Sequence, residues 1–193
     1  IMVFGLNKIL IAFSTTAVAV FGVYFKLQSF VFMPVFGINN GMVPIIAYNY
    51  GARNRKRIID TTKVAVITAV SIMITGLLIF QFAPELLLGI FSSGNPEEDA
   101  ELMRIGVPAL RTIAFHFPLA GICIMLGSVF QALGKPIYSL INSIARQLIV
   151  LLPAAYLLSL SGNLNMVWLA FVIAEFASLF FSLLFFKRVL KLI

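Results

Sequence analysis

Charge is what this chain has least of. Only 11% of its 193 residues are Asp, Glu, Lys or Arg, and 7 of those are acidic, against 61% hydrophobic residues. A water-soluble domain of this length could not cover its surface with so few polar groups, so a soluble globular fold is excluded and an integral membrane protein is implied. Cysteine occurs once, as Cys123 inside an apolar run, which rules out an intrachain disulfide and reads as a small buried hydrophobe. Histidine also occurs once, as His116, and no grouping of Cys, His and carboxylates has metal-ligand spacing, so no metal site or cofactor is expected. HExxH, nucleophile-elbow and phosphate-loop motifs are missing, which argues against an enzyme. A channel would need rings of selectivity groups from several chains. The opening stretch IMVFGLNKILIAF lacks the charged lead and small-residue cleavage site of a signal peptide, and reads as the tail of a helix already under way.

What the chain does have is long apolar runs, each measured against the ~20 residues needed to cross a bilayer. They predict an all-α polytopic helical bundle with a partial span over 1–13 and full spans over 17–50, 58–82, 105–133, 136–160 and 166–186. Ser14, Thr15 and Thr16 are expected to form a tight turn. The stretch FMPVFGINNGMVPIIAYNYGARNRKR, 32–57, is the most distinctive. Pro34, Gly37, Gly41 and Pro44 interrupt it, which in a bilayer predicts one long bent helix with those four residues as its hinge.

The net charge of +7 does not indicate nucleic acid, because the basic residues sit in short clusters beside apolar runs. Those clusters, at 53–57, at Lys135 and at 187–191, mark alternate ends of successive spans and so predict a shared cytoplasmic side, with the C-terminus among them. The stretch 92–104, which carries Glu97, Glu98, Asp99 and Glu101, is expected outside, as is the uncharged 161–165.

Polar residues at membrane depth are functional candidates by default, since placing charge there costs several kcal/mol. Arg146 lies ten residues past Pro136, and Glu175 eleven residues before Phe186. That places them ~15 Å and ~17 Å from the same face on consecutive antiparallel helices. They are expected to form an ion pair or share a water-filled pocket, and such a pair is as well suited to clipping helices together as to transport. Ser139, Asn142, Ser143 and Arg146 recur at i, i+3, i+4 and i+7 as a polar stripe. Ala170, Ala174, Ser178 and Ser182 form a small-residue seam suited to close helix packing. His116, Cys123, Gly127 and Gln131 share a further face, where His116 fits either a hydrogen-bonded interfacial histidine or a protonation switch. Asn39 lies in the bent segment, and Lys26 and Gln28 either line a cavity or, for Lys26, snorkel to the outer interface.

The run MPVFGINNGMVPIIAYNYGARNRKR, followed at these intervals by FQALGKP, ARQ and WLAFVIAEF, resembles the second half of a multidrug and toxic compound extrusion (MATE) transporter over essentially the whole chain. The resemblance implies the second six-helix lobe of a twelve-helix protein, with its first helix truncated and the N-terminal half as partner. It also implies export of cationic or amphipathic organic compounds by Na+ or H+ antiport, from the cell membrane, by alternating access. Glu175, Arg146, Asn142, Lys26, Gln131 and Asn39 are the candidate pathway residues, and Phe30, Phe32 and Phe36 offer aromatic faces to a cation. Of the carboxylates that some members use early in the seventh helix and in the tenth, the first position would fall just before Ile1 and the tenth-helix region Pro118–Cys123 holds no acid, so the residues do not distinguish Na+ from H+. A lipid-linked oligosaccharide flippase of the same superfamily is the alternative reading, for which more cationic residues would be expected around the cavity.

Overall fold

The computed structural model describes residues 1–191, and among them there is no strand. The last two residues, to which the expected cytoplasmic C-terminus belongs, lie outside the described residues. The helices are α1 (Met2–Leu10), α2 (Thr15–Gly51), α3 (Arg55–Phe82), α4 (Pro84–Gly89), α5 (Pro96–Ala114), α6 (Phe117–Ala132), α7 (Pro136–Ile144), α8 (Leu152–Ser159) and α9 (Leu164–Leu190), with a π-helical segment, Ala145–Leu151, between α7 and α8. Joined through that segment, α7 and α8 make one span, Pro136–Ser159.

Helix starts follow from local chemistry. Ser14 Oγ accepts from the Ala17 amide at 3.0 Å, and Asn54 Oδ1 from the Arg57 amide at 3.1 Å, so each meets an amide that the helix itself leaves without a partner. Asn95 caps α5 the same way, with Pro96 at the first position and Glu97, Glu98 and Asp99 in the first turn, where the helix dipole favours negative charge. Just ahead of it, Asp99 accepts from the Ser92 hydroxyl, from the Ser93 amide at 2.8 Å and from the Gly94 amide at 3.2 Å. Those bonds, the Ser92 hydroxyl's first, hold its carboxyl below the usual carboxylate range.

The structure differs from the sequence expectation in three places. The turn after α1 is Ile11–Phe13, and Ser14 is a cap with Thr15 already helical, because its hydroxyl meets an amide three residues on. The stretch 92–104, expected as a polar loop, is helical from Pro96 onward, since its acids suit a helix start. The span expected over 105–133 is two helices bent by 48° at Phe115 and His116. Pro118 sits in the first turn of α6, where its missing N–H is harmless, whereas within a continuous helix it would leave the Ala114 carbonyl unpaired. The single long helix expected over 17–50 is α2, a helix of 37 residues that runs through both Pro34 and Pro44, ~55 Å long at the usual rise.

The core sits where α6 meets α2, α3, α7 and α9. Tyr24, Phe80, Phe117, Phe130 and Trp168 are fully buried. Two glycines sit at the contacts of α3 with α2 and with α6. A Cβ on Gly76 would collide with Val31 across the α2–α3 contact, and one on Gly121 would lie 3.1 Å from Met73 and 3.5 Å from the Ala69 backbone across α3–α6.

Candidate functional site

Two polar cavities lie within the bundle, and Arg146 is part of the wall of both. The first, about 250 Å³, is lined by Phe36 and Asn39 from α2, Gln131 from α6, Ser139 and Asn142 from α7, and Arg146. The second, about 180 Å³, is lined by Tyr24 and Gln28 from α2, His116, Arg146, and Phe171 and Glu175 from α9.

Between them Arg146 Nη1 donates to Glu175 Oε2 at 2.9 Å. The Glu175 side chain is 3% exposed and that of Arg146 33%, so the carboxylate is fully desolvated while the guanidinium keeps an open side. Such a pair stands only if attraction and hydrogen bonding offset the desolvation of both ions. Arg146 reaches it from the π segment, a local widening that is rare in helices and common at functional sites.

On the adjoining turn, Asn142 donates through Nδ2 to Ser178 Oγ at 3.0 Å and to Ser182 Oγ at 2.9 Å. The polar stripe of one helix thereby meets the small-residue seam of the next. Gln131 Nε2 donates to Ser139 Oγ at 3.2 Å. His116 is buried among Phe32, Phe117 and Phe171, and its Nδ1 lies 2.6 Å from the Ile113 carbonyl.

Of the pathway candidates, Glu175, Arg146, Asn142, Gln131 and Asn39 therefore line one cavity or the other. Lys26 lines neither. It is exposed, with Nζ 5.4 Å above the Phe91 ring, which is the snorkelling arrangement. The aromatic candidates also separate. Phe36 is in the first cavity and Phe32 packs edge-on against Phe117 at 5.4 Å, while Phe30 and Pro34 border a distinct apolar cavity of about 590 Å³ between α2, α3 and the α4 region. Sequence reasoning missed Tyr24 and Phe171. Each lies four residues before a recognised polar residue, Gln28 and Glu175, and so shares its helix face.

A bundle of spanning helices that keeps ionisable and amide groups in cavities at depth has the make-up of a membrane transporter. The profile of the MatE family matches residues 2–157, and the chain belongs to that family. It is 28% identical over 178 residues to the multidrug export protein MepA of Staphylococcus haemolyticus, a match that covers 92% of this chain and 38% of that protein. With MepA of Staphylococcus saprophyticus the identity is 29% over 171 residues, covering 88% and 36%. The chain thus spans well under half the length of these relatives. Among solved structures, an inward-facing multidrug resistance MATE family transporter of the MOP superfamily matches with TM-score 0.87 and 22% identity, over 97% of this chain and 43% of that one. An outward-facing one matches with TM-score 0.87 and 24% identity, over 98% and 42%.

Proposed function

We propose that this chain is the second six-helix lobe of a twelve-helix secondary transporter, paired with an N-terminal half, that exports cationic and amphipathic organic compounds in exchange for Na+ or H+. The observation that carries this reading is the Arg146–Glu175 pair set between two amide-lined cavities inside spanning helices. Charges at that depth are costly and mark ion or substrate paths. Phe36, Tyr24 and Phe171 supply aromatic faces for a cation. Alternating access would come from rocking of the two lobes, with the Pro34, Gly37, Gly41 and Pro44 stretch of α2 absorbing the bend. The protein would be a multi-pass cell-membrane protein with its basic clusters and C-terminus in the cytoplasm, without a resident cofactor and without enzymatic turnover. A lipid-linked oligosaccharide flippase is disfavoured by the cavities themselves. Arg146 is the one Lys or Arg lining them among the described residues, and Glu175 already neutralises it.

Efflux of ethidium from cells expressing the full-length parent, with the sodium and proton gradients collapsed separately, tests the reading. Gradient-dependent efflux that disappears in Glu175→Gln is expected. Absence of efflux under either gradient, with normal membrane expression, would overturn it in favour of a lipid or oligosaccharide carrier.

A further inference from the structure

The apolar cavity of about 590 Å³ between α2, α3 and the α4 region takes no part in the polar site, and nothing in it suits a polar cargo. No carboxylate lines it. The hydroxyl of Thr75, its one hydrogen-bonding side chain among the described residues, is already spent on the Ser71 carbonyl at 3.0 Å. Its walls run from Leu27 to Pro34 on α2 and from Ile72 to Phe80 on α3, ~10–12 Å in each at the usual rise. Phe30, Ile79 and Ile90 on its border are exposed, so it is a groove on the flank of the bundle.

The depth of the groove follows from α2. Lys26, one residue before the groove begins, lies 24 residues before Tyr50 on the same helix, hence ~36 Å away. A hydrocarbon core is ~30 Å thick, so with Tyr50 at the boundary beside the basic cluster, Lys26 reaches the opposite headgroup level. The groove then lies directly beneath it, within that leaflet. Lys26 Nζ stands 5.4 Å above the ring of Phe91, which lines the groove, so the ammonium is at its mouth. No carboxylate pairs with it among the described residues. Glu85 is held by Arg111 at 3.5 Å, Glu101 by Arg104 at 3.7 Å and by the Thr16 hydroxyl at 2.8 Å, and Asp99 by the Ser93 amide at 2.8 Å. An apolar hollow facing a bilayer fills with hydrocarbon, because an empty one forfeits dispersion contacts. The free ammonium above it selects the headgroup to which that hydrocarbon is joined. We propose that this groove binds one anionic phospholipid from the leaflet opposite the basic clusters, with the upper part of an acyl chain along Leu27–Pro34 and the phosphate at Lys26 Nζ. Such binding needs only a chain that spans a membrane and does not rest on the export reading.

The test uses purified full-length protein in phosphatidylcholine nanodiscs that carry a trace of phosphatidylglycerol, or of phosphatidylcholine, with a diazirine in the acyl chain. Adducts are mapped by mass spectrometry after irradiation. Both leaflets carry the probe, so the result does not depend on which way the chain is inserted. Adducts are expected to concentrate on residues 27–34 and 72–80, with phosphatidylglycerol favoured about fivefold there, the preference that one lysine near a membrane surface supplies. Lys26→Gln should abolish that preference and Lys26→Arg should keep it. Thr75→Trp, which fills the groove from an exposed position, should lower labelling by both probes severalfold at an unchanged melting temperature. Equal labelling by the two lipids in the wild type, or a preference that survives Lys26→Gln, would overturn the proposal. So would adducts that avoid both segments, as when the N-terminal half covers the groove, and adducts that ethidium displaces, as in a cargo pocket.

Discussion

Glu175 and Arg146 hold each other through one hydrogen-bonded ion pair, and each is costly without the other. Glu175→Gln leaves a guanidinium beside a neutral amide, and Arg146→Met leaves a carboxylate that is almost wholly desolvated. Breaking a buried pair costs ~3–5 kcal/mol, and the one-third exposure of Arg146 sets the Glu175→Gln value near the low end. Arg146→Met is expected to cost more, because the Glu175 side chain is only 3% exposed. The double variant should recover most of the loss, read as thermal denaturation midpoints of the full-length protein in detergent. A double variant no more stable than the worse single would show that the two residues act independently. This pair was legible in the sequence because antiparallel helices of known rise place residues at calculable depths. Tyr24 and Phe171 were not, since among 19 phenylalanines and 5 tyrosines an aromatic on an apolar helix gives no sign of which way it faces. Asn39 and Asn40 read alike in the sequence, yet only Asn39 lines the cavity, because successive helical residues diverge by ~100°.

At the scale of elements, α2 separates glycines that serve packing from glycines that do not. Nothing lies within 4 Å of a Cβ built on Gly37 or Gly41, whereas Gly76 on α3 has no room for one. Gly41→Leu should therefore leave this lobe folded and expressed while slowing transport, as should Pro34→Ala. Gly76→Leu should instead lower expression and stability, with overpacking costing ~1–3 kcal/mol or more. Comparing transport rate per molecule in the membrane with total membrane expression checks this. Equal losses in both for Gly41→Leu would show a folding role and remove α2 as the compliant element. Span positions were legible from hydrophobic length, and Pro136 as a helix start from its chemistry. The bend at Phe115–His116 and the π segment were not. Both keep the apolar character of a spanning helix and change only the hydrogen-bond register, which composition does not encode.

At the scale of the whole molecule, the spans alternate so that Arg53–Arg57, Lys135 and Lys187–Lys191 fall at one end of the bundle and Ser92–Asn95 with the acidic first turn of α5 at the other. That division follows from the helix order and agrees with the positive-inside rule. The chain shares its fold with an inward-facing and an outward-facing transporter, each at a TM-score of 0.87. The proposed rocking of the lobe needs its two faces on fixed sides of the membrane, and this is open to direct measurement. In a full-length background without other cysteines, Ser93→Cys is expected to react in intact cells with a membrane-impermeant maleimide, because Ser93 is exposed in the acidic loop. Asn54→Cys, beside the basic cluster, should react only after permeabilisation. Labelling of Asn54→Cys from outside, with Ser93→Cys protected, would invert the topology. The cavity holding Gln131 and Ser139, nearer the basic end by helix order, would then lie on the outer side rather than toward the cytoplasm from which cargo is loaded, and the export direction itself would have to be reversed.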